Sequence, residues 1–433
     1  MKQVSIVLLV VLTLGVSLGS VSALETQWPT AQGTFIQMYL VANWTDEDWQ
    51  REFEILKEVG MEYMILSPAV HSYEGTEWTI YPSNLPGTSL YPGYPDVIEA
   101  CLRNAEKAGF KVFIGIYSDS DWWKNYGSAP EWLYDRVRFG NQVAQELWDN
   151  YAVRYPGTFY GWYWDWEVDN YNFGKSKAQH TLATAFNILI DYLDENEMRL
   201  PIMFSPFMNH RLGTPEHSRD MWTNVFAQTN FAPGDIFSPQ DSVGAGGLNL
   251  EVLESYFAAL REAVDTKPGL LFWSNAESFW QPDWSSALLD RFVKQMELVA
   301  PYVDNIVTFA YSHYYSPNNV IPGYHEAYGY YVENGVLPDE NPQPSSSVQA
   351  EIVDDGVRLK WHEADQGNAA GYLVIRDGRP IHRILRGPTL NAQLTTYTDQ
   401  AVRAGRTYEY EIRTIGFTGA LSADGPHCKI TFD

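Results

Sequence analysis

Two glutamates close aromatic, strand-like runs in this chain. Glu167 ends the stretch Gly161-Trp162-Tyr163-Trp164-Asp165-Trp166-Glu167-Val168-Asp169-Asn170, and Glu277 ends Leu270-Leu271-Phe272-Trp273-Ser274-Asn275-Ala276-Glu277. Successive side chains of a strand point to opposite faces, so Trp162, Trp164 and Trp166 share one side and Tyr163, Asp165 and Glu167 the other. Two carboxylates at the ends of two parallel strands of one barrel suit hydrolysis of a glycosidic bond, with one as proton donor and the other as nucleophile or base. The donor must hold its proton near neutral pH, which requires burial or a like charge close by; Asp165 and Asp169 are placed to supply the charge. The nucleophile must ionise, and hydrogen bonds from Asn275 or Tyr311 would favour that. Asp241 is the reserve catalytic residue. The competing readings are a sugar-binding carboxylate or a helix N-cap for either glutamate, and a turn cap for Asp241.

Other polar residues fall in equivalent places. Asp119, Asn209, Gln240, Asp241, Asn275 and Tyr311 lie at or just after strand ends, together with Asp165, and form the expected substrate-binding set. Trp122 and Trp123 are the expected sugar platforms, because aromatic faces stack on the C–H faces of sugars. Trp162, Trp164 and Trp166 are expected to pack against helices. Asp119 and Asp121 would bind a sugar or a cation, or simply make a solvated turn. Tyr311 and His313 would floor a subsite or pack the rim. His71, His180 and His217 have no metal-ligand spacing, so neither a metal nor a cofactor is expected.

The elements that must position these residues alternate between short β-like and helical runs, the pattern of an α/β fold with a parallel sheet. Strands are expected at 34–41, 63–67, 111–117, 161–167, 202–205, 236–238, 270–277 and 305–309. Helices follow each, with Thr45 capping the first and Ser285 or Ser286 the seventh. A long Pro- and Gly-rich loop is expected over 68–95. Eight such units over about 300 residues fit a (β/α)8 barrel, whose sites gather on the face where the strands end. A doubly wound open sheet is the competitor, but no glycine-rich phosphate fingerprint follows the first strand.

Residues 1–23 carry a basic start, an apolar run and small residues at the end, the pattern of a secretory signal peptide. The run is shorter than the roughly 20 residues of a membrane-spanning helix. Export without a retained anchor is expected. With 54 acidic against 29 basic residues the surface repels phosphate backbones, so nucleic acid is excluded as a partner and a carbohydrate is expected. The two cysteines, Cys101 and Cys428, fall in separate units and are read as buried thiols. The barrel is expected over 24–337, a Pro/Ser linker over 338–347 and an all-β sandwich over 348–433. A linker with few contacts would let the barrel fold and act without the sandwich.

Family resemblances add to this. The sandwich resembles a fibronectin type III module, with Trp361, the Tyr372 strand with its Asp377-Gly378 turn, and Tyr408 with Tyr410 in that family's order. Gly33-Thr34-Phe35-Ile36-Gln37, Trp49, Leu56 to Met61, Gln240-Asp241-Ser242-Val243-Gly244 and Trp273 to Phe279 resemble a bacterial family of glycosidase-like TIM barrels, domain of unknown function 4434. More broadly, glutamates after strands four and seven resemble retaining glycoside hydrolases. That resemblance implies Glu167 as acid/base and Glu277 as nucleophile. That clan commonly has Asn before its acid/base glutamate, whereas Trp166 stands here. Two function classes follow: an exported glycoside hydrolase, or a non-catalytic carbohydrate-binding barrel that needs the platforms but no facing carboxylates.

Overall fold

The computed structural model describes residues 28–93, 95–364, 369–388 and 394–433; the expected leader lies outside them. Eight parallel strands close a barrel in chain order: β1 (Gly33–Gln37), β2 (Tyr63–Ser67), β3 (Lys111–Gly115), β4 (Phe159–Trp164), β5 (Ile202–Phe204), β6 (Ile236–Phe237), β7 (Leu271–Glu277) and β8 (Asn305–Phe309). The seam joins Thr34 of β1 to Thr308 of β8. Helices α1 (Asp46–Glu58), α2 (Val97–Ala108), α3 (Pro130–Leu147), α4 (Ser176–Glu195), α5 (Pro215–Phe226), α6 (Leu250–Val264), α7 (Leu289–Val299) and α8 (Gly323–Asn334) follow the strands in turn.

Local chemistry sets several of these boundaries. Thr45 and Asp48 form a reciprocal capping box at the start of α1, and the Asp96 side chain accepts the Glu99 N–H at the start of α2. The strand alternation divides side chains between two cores. Phe35, Ile65, Phe113, Tyr163, Met203, Ile236, Trp273 and Val307 fill the barrel. Trp162, Trp164 and Trp166 belong to the layer outside it, where Trp164 meets Phe186 of α4 at 4.5 Å and Trp166 meets Trp132 of α3 at 5.8 Å.

Beyond shifts of two or three residues at strand ends, the observed elements depart from expectation in three places. The first strand stops at Gln37 and Met38–Val41 turns helical. The 68–95 loop is not structureless: Val70–Tyr73, Thr76–Thr79 and Thr88–Leu90 build a small side sheet with Tyr117–Asp119. Neither Ser285 nor Ser286 caps α7; both pair with Phe279–Trp280 in a short hairpin, and α7 starts at Leu289.

The C-terminal region forms two antiparallel sheets. β9 (Val348–Val353), β10 (Gly356–Trp361) and β13 (Thr396–Asp399) make one; β11 (Gly371–Arg376), β12 (Arg379–Leu385), β14 (Arg406–Ile415) and β15 (His427–Phe432) make the other. Val357, Leu359, Trp361, Tyr372, Val374, Tyr410 and Ile412 fill the space between them. The expectation of a linker with few contacts fails. Glu340 accepts hydrogen bonds from the backbone N–H groups of Phe417 and Thr418 at 3.1 and 2.8 Å, and from the Thr418 hydroxyl at 2.6 Å. Phe417 packs edge-on against Tyr324 of α8 at 4.9 Å, and its carbonyl receives the Leu289 N–H at 2.8 Å. Ala370, Leu385, Ile415 and Phe417 thereby join the barrel's outer core. Linker composition could not disclose this, because the contacts come from residues distant in sequence.

Candidate active site

The strand alternation aims Trp273, Asn275 and Glu277 of β7 into the barrel, Trp273 at its centre and Glu277 at the rim where the strands end. Glu277 is fully buried, and one carboxylate oxygen, Oε2, accepts the Ala245 N–H at 2.7 Å. Gly244 permits this approach, since a Cβ there would lie 3.0 Å from Oε2 and 2.4 Å from the Phe279 carbonyl. The other oxygen, Oε1, is buried with no hydrogen-bond partner among the described residues. Burial, then the neighbouring Asp241 charge, pushes the Glu277 carboxyl up to about 8, against the opposing pull of the Ala245 N–H and Arg291. Asp241 is sealed behind Glu277, bonded to Gln295, whose amide also reaches the Glu277 carbonyl at 3.1 Å. Burial raises Asp241 as well.

Glu167 lies just beyond β4 and keeps one face on the cavity. The Gln240 amide donates to its Oε1 at 3.4 Å, and the Trp122 indole N–H donates to its backbone carbonyl at 2.9 Å. Burial pushes its carboxyl up to about 7, and the Gln240 bond only partly opposes this. Asp165, one inward position earlier, accepts the Ser67 hydroxyl at 2.5 Å and the Tyr117 N–H at 3.0 Å, yet burial still holds it up at about 7.

Both glutamates line one cavity of about 660 Å³, with Gln37, Tyr39, Trp123, Gln240, Phe279, Gln281, Trp284, Phe309, His313 and Tyr314 among its other walls. A smaller, more polar arm of about 190 Å³ shares Gln37, Trp123, Glu167, Gln240 and Phe309 with it and continues past Ser67, His71, Ser118, Asp119, Trp122, Asp165 and Asn275. The cleft is therefore an elongated one with Glu167 at its junction.

Of the residues singled out in the sequence, Glu167, Glu277, Asp119, Trp122, Trp123, Asp165, Gln240 and Asn275 line these two arms. Trp123 is half-exposed, whereas Trp122 is buried beneath, stacked on Phe173 at 5.8 Å. Three do not line them. Asp241 is sealed off as described. Asn209 shapes its own turn by accepting the Arg211 N–H at 3.0 Å. Tyr311 is fully buried with its hydroxyl 2.7 Å from Nδ1 of His325, because a single helical turn over Tyr311–Tyr314 directs it toward α8 and presents His313 and Tyr314 to the cavity instead. His313 Nε2 accepts the Gln37 N–H at 3.2 Å, and burial lowers its imidazole to about 3, so it is neutral. The residues that sequence reasoning passed over include Gln37 and Phe309, whose positions at the ends of β1 and β8 were a usable signal. His71 bridges Ser118 and Ser120 at 2.7 and 3.0 Å, a role that metal-ligand spacing gives no sign of.

Residues 31–321 match the family model described as Domain of unknown function (DUF4434). The chain belongs to this family. No curated protein matches it. Among solved structures, a Bacteroides thetaiotaomicron protein named as a proposed alpha-L-fucosidase is 22% identical, with 71% of this chain and 94% of that one covered and a TM-score of 0.57. A glycoside hydrolase family 5 protein from Bacteroides vulgatus is 10% identical over 94% of this chain and 87% of that one, at a TM-score of 0.43. A GH18 chitinase from Pseudoalteromonas aurantia is 11% identical over 71% of this chain and 100% of that one, also at 0.43. The likeness to the first of these is one of barrel fold.

Proposed function

We propose that this protein is an exported glycoside hydrolase acting on a polysaccharide or oligosaccharide with retention of configuration. The observation that carries the reading is a pair of carboxylates on one aromatic-walled cavity, Glu277 fully buried at the end of β7 and Glu167 partly buried just beyond β4. Glu167, held up at about 7, keeps a proton near neutrality and is the acid/base. It protonates the departing glycosidic oxygen as the bond to the anomeric carbon breaks. Glu277 is the nucleophile: Oε2 stays on the Ala245 N–H and the unpartnered Oε1 forms the ester bond to that carbon. Water, deprotonated by Glu167, then cleaves the ester and restores both residues. Glu277 must ionise for this. The Ala245 N–H and Arg291 favour the Glu277 anion, while burial and the Asp241 charge oppose it; a proton on the sealed Asp241 lifts the second of these oppositions, and burial remains for the bound substrate's positive anomeric centre to offset.

The leader pattern supports export, and three strands facing four support the fibronectin type III-like reading of the C-terminal sheets. The test is to incubate the purified protein with a panel of polysaccharides and aryl glycosides and read the anomer of the first product by NMR. Retention supports the reading and inversion removes the Glu277 ester. Binding without turnover of any member would establish a non-catalytic carbohydrate-binding barrel.

A further inference from the structure

One wall of the large cavity is not made by the barrel alone. The 279–286 hairpin carries Trp284 at its tip, 46% exposed and lining the cavity. Its φ of 55° lies in a region that bulky residues rarely occupy, so the surrounding structure must hold it there. Two sets of contacts do so. On the barrel side, the Gln281 N–H donates to the Gly244 carbonyl at 3.0 Å, in the same loop that supports Glu277. On the other side, the Ser286 N–H donates to the Arg386 carbonyl at 2.8 Å, and Gly387 is so close to Trp284 that a Cβ would lie 2.5 Å from its carbonyl oxygen. Arg386 and Gly387 follow β12 of the C-terminal sheets. The next residue, Pro388, itself lines the cavity. The Trp284 ring is backed by Phe279 at 5.4 Å and 20°, and Phe279 by Tyr314 at 5.6 Å and 29°.

We infer that Trp284, Gln281 and Pro388 form a subsite for a pyranose ring of an oligosaccharide, at a position away from the bond being cleaved, and that the C-terminal sheets complete it. The inference rests on the glycosidase reading. A rigid stack of aromatic rings with one exposed face suits the C–H face of a sugar. The Gln281 amide offers a donor and an acceptor to its hydroxyls. Pro388 adds a second apolar surface to the same cavity. The occupant is a sugar, because this wall is continuous with the cavity that holds both carboxylates. The C-terminal unit is then part of the substrate site and not a spacer.

The test is a chain-length series. Trp284→Ala should raise KM about tenfold more for substrates long enough to reach the hairpin than for an aryl monosaccharide. Trp284→Phe should recover most of the loss. Gly387→Ala forces the sheets off the hairpin without altering any cavity side chain, and should shift KM in the same length-dependent way. Gly329→Ala, whose added Cβ meets nothing within 4 Å among the described residues, is the control. Glycan-array binding of defined mono- to hexasaccharides to Glu277→Gln, with and without Trp284→Ala, reads the same effect without turnover. An effect equal at every chain length, or none, overturns the subsite while the glycosidase reading stands. A parent protein that neither cleaves nor binds any glycan overturns both.

Discussion

Replacing Glu167 with Gln should make the protein more stable in alkali and leave it unchanged in mild acid. The folded carboxyl sits at about 7 against an ordinary 4.5, chiefly through burial. Between those values the folded state holds a proton that the unfolded state has released, so this group's contribution to stability falls as pH rises and is fully lost above about 7. A difference of 2.5 pH units corresponds to about 3.4 kcal/mol; because the carboxyl keeps a face on the cavity, about 2 kcal/mol is the realistic expectation. Glutamine has no charge to bury, and its carbonyl can still accept the Gln240 amide. Urea unfolding followed by circular dichroism should give matching free energies for parent and variant near pH 4 and a gain for the variant near pH 9. For a chain of this size the gain is worth about 2 °C in melting temperature. A variant destabilised at pH 9, or stabilised equally at both values, would refute the claim that burial dominates at Glu167, and with it the reason for assigning the proton there.

Glu277→Gln should abolish turnover while leaving glycan binding within a few-fold of the parent, as isothermal titration would show, since the amide keeps its bond to Ala245 but cannot form the glycosyl ester. Glu167→Ala should lose far more activity on sugar leaving groups than on acidic phenols, and azide should restore turnover as a glycosyl azide detectable by mass spectrometry. Equal losses on both substrates would remove Glu167 from the acid/base role. Phe417→Ala should cost about 3 kcal/mol in denaturant unfolding, because it empties a contact between α8 and the C-terminal sheets; a change below about 1 kcal/mol would show that the two units are only loosely joined.

What the sequence disclosed follows from how locally each feature is determined. Strand alternation alone sorts Tyr163, Asp165 and Glu167 inward and the three tryptophans outward, so both glutamates were legible from a few neighbours. The helix start at Thr45 was legible for the same reason. Tyr311 was not: four residues of helix after β8 exchange it for His313 and Tyr314 on the cavity wall, and nothing in their composition fixes that rotation. The role of Ser285 and Ser286 was also illegible, because their partners include Arg386, about a hundred residues downstream. Features set by contacts of that range, including the closed linker and the Pro388 wall, emerge only once the chain is folded.

The docking of Phe417 on Tyr324 also has a consequence in time. Tyr324 leaves the ribosome roughly 90 residues before its cover does, an interval of about 5–20 s at ~5–20 residues per second. For that interval the barrel is complete in sequence while the α8 face that Phe417 will close stands open to solvent. A nascent chain stalled before Phe417 should therefore bind hydrophobic probes or chaperones at that face, and release them when the last strands arrive.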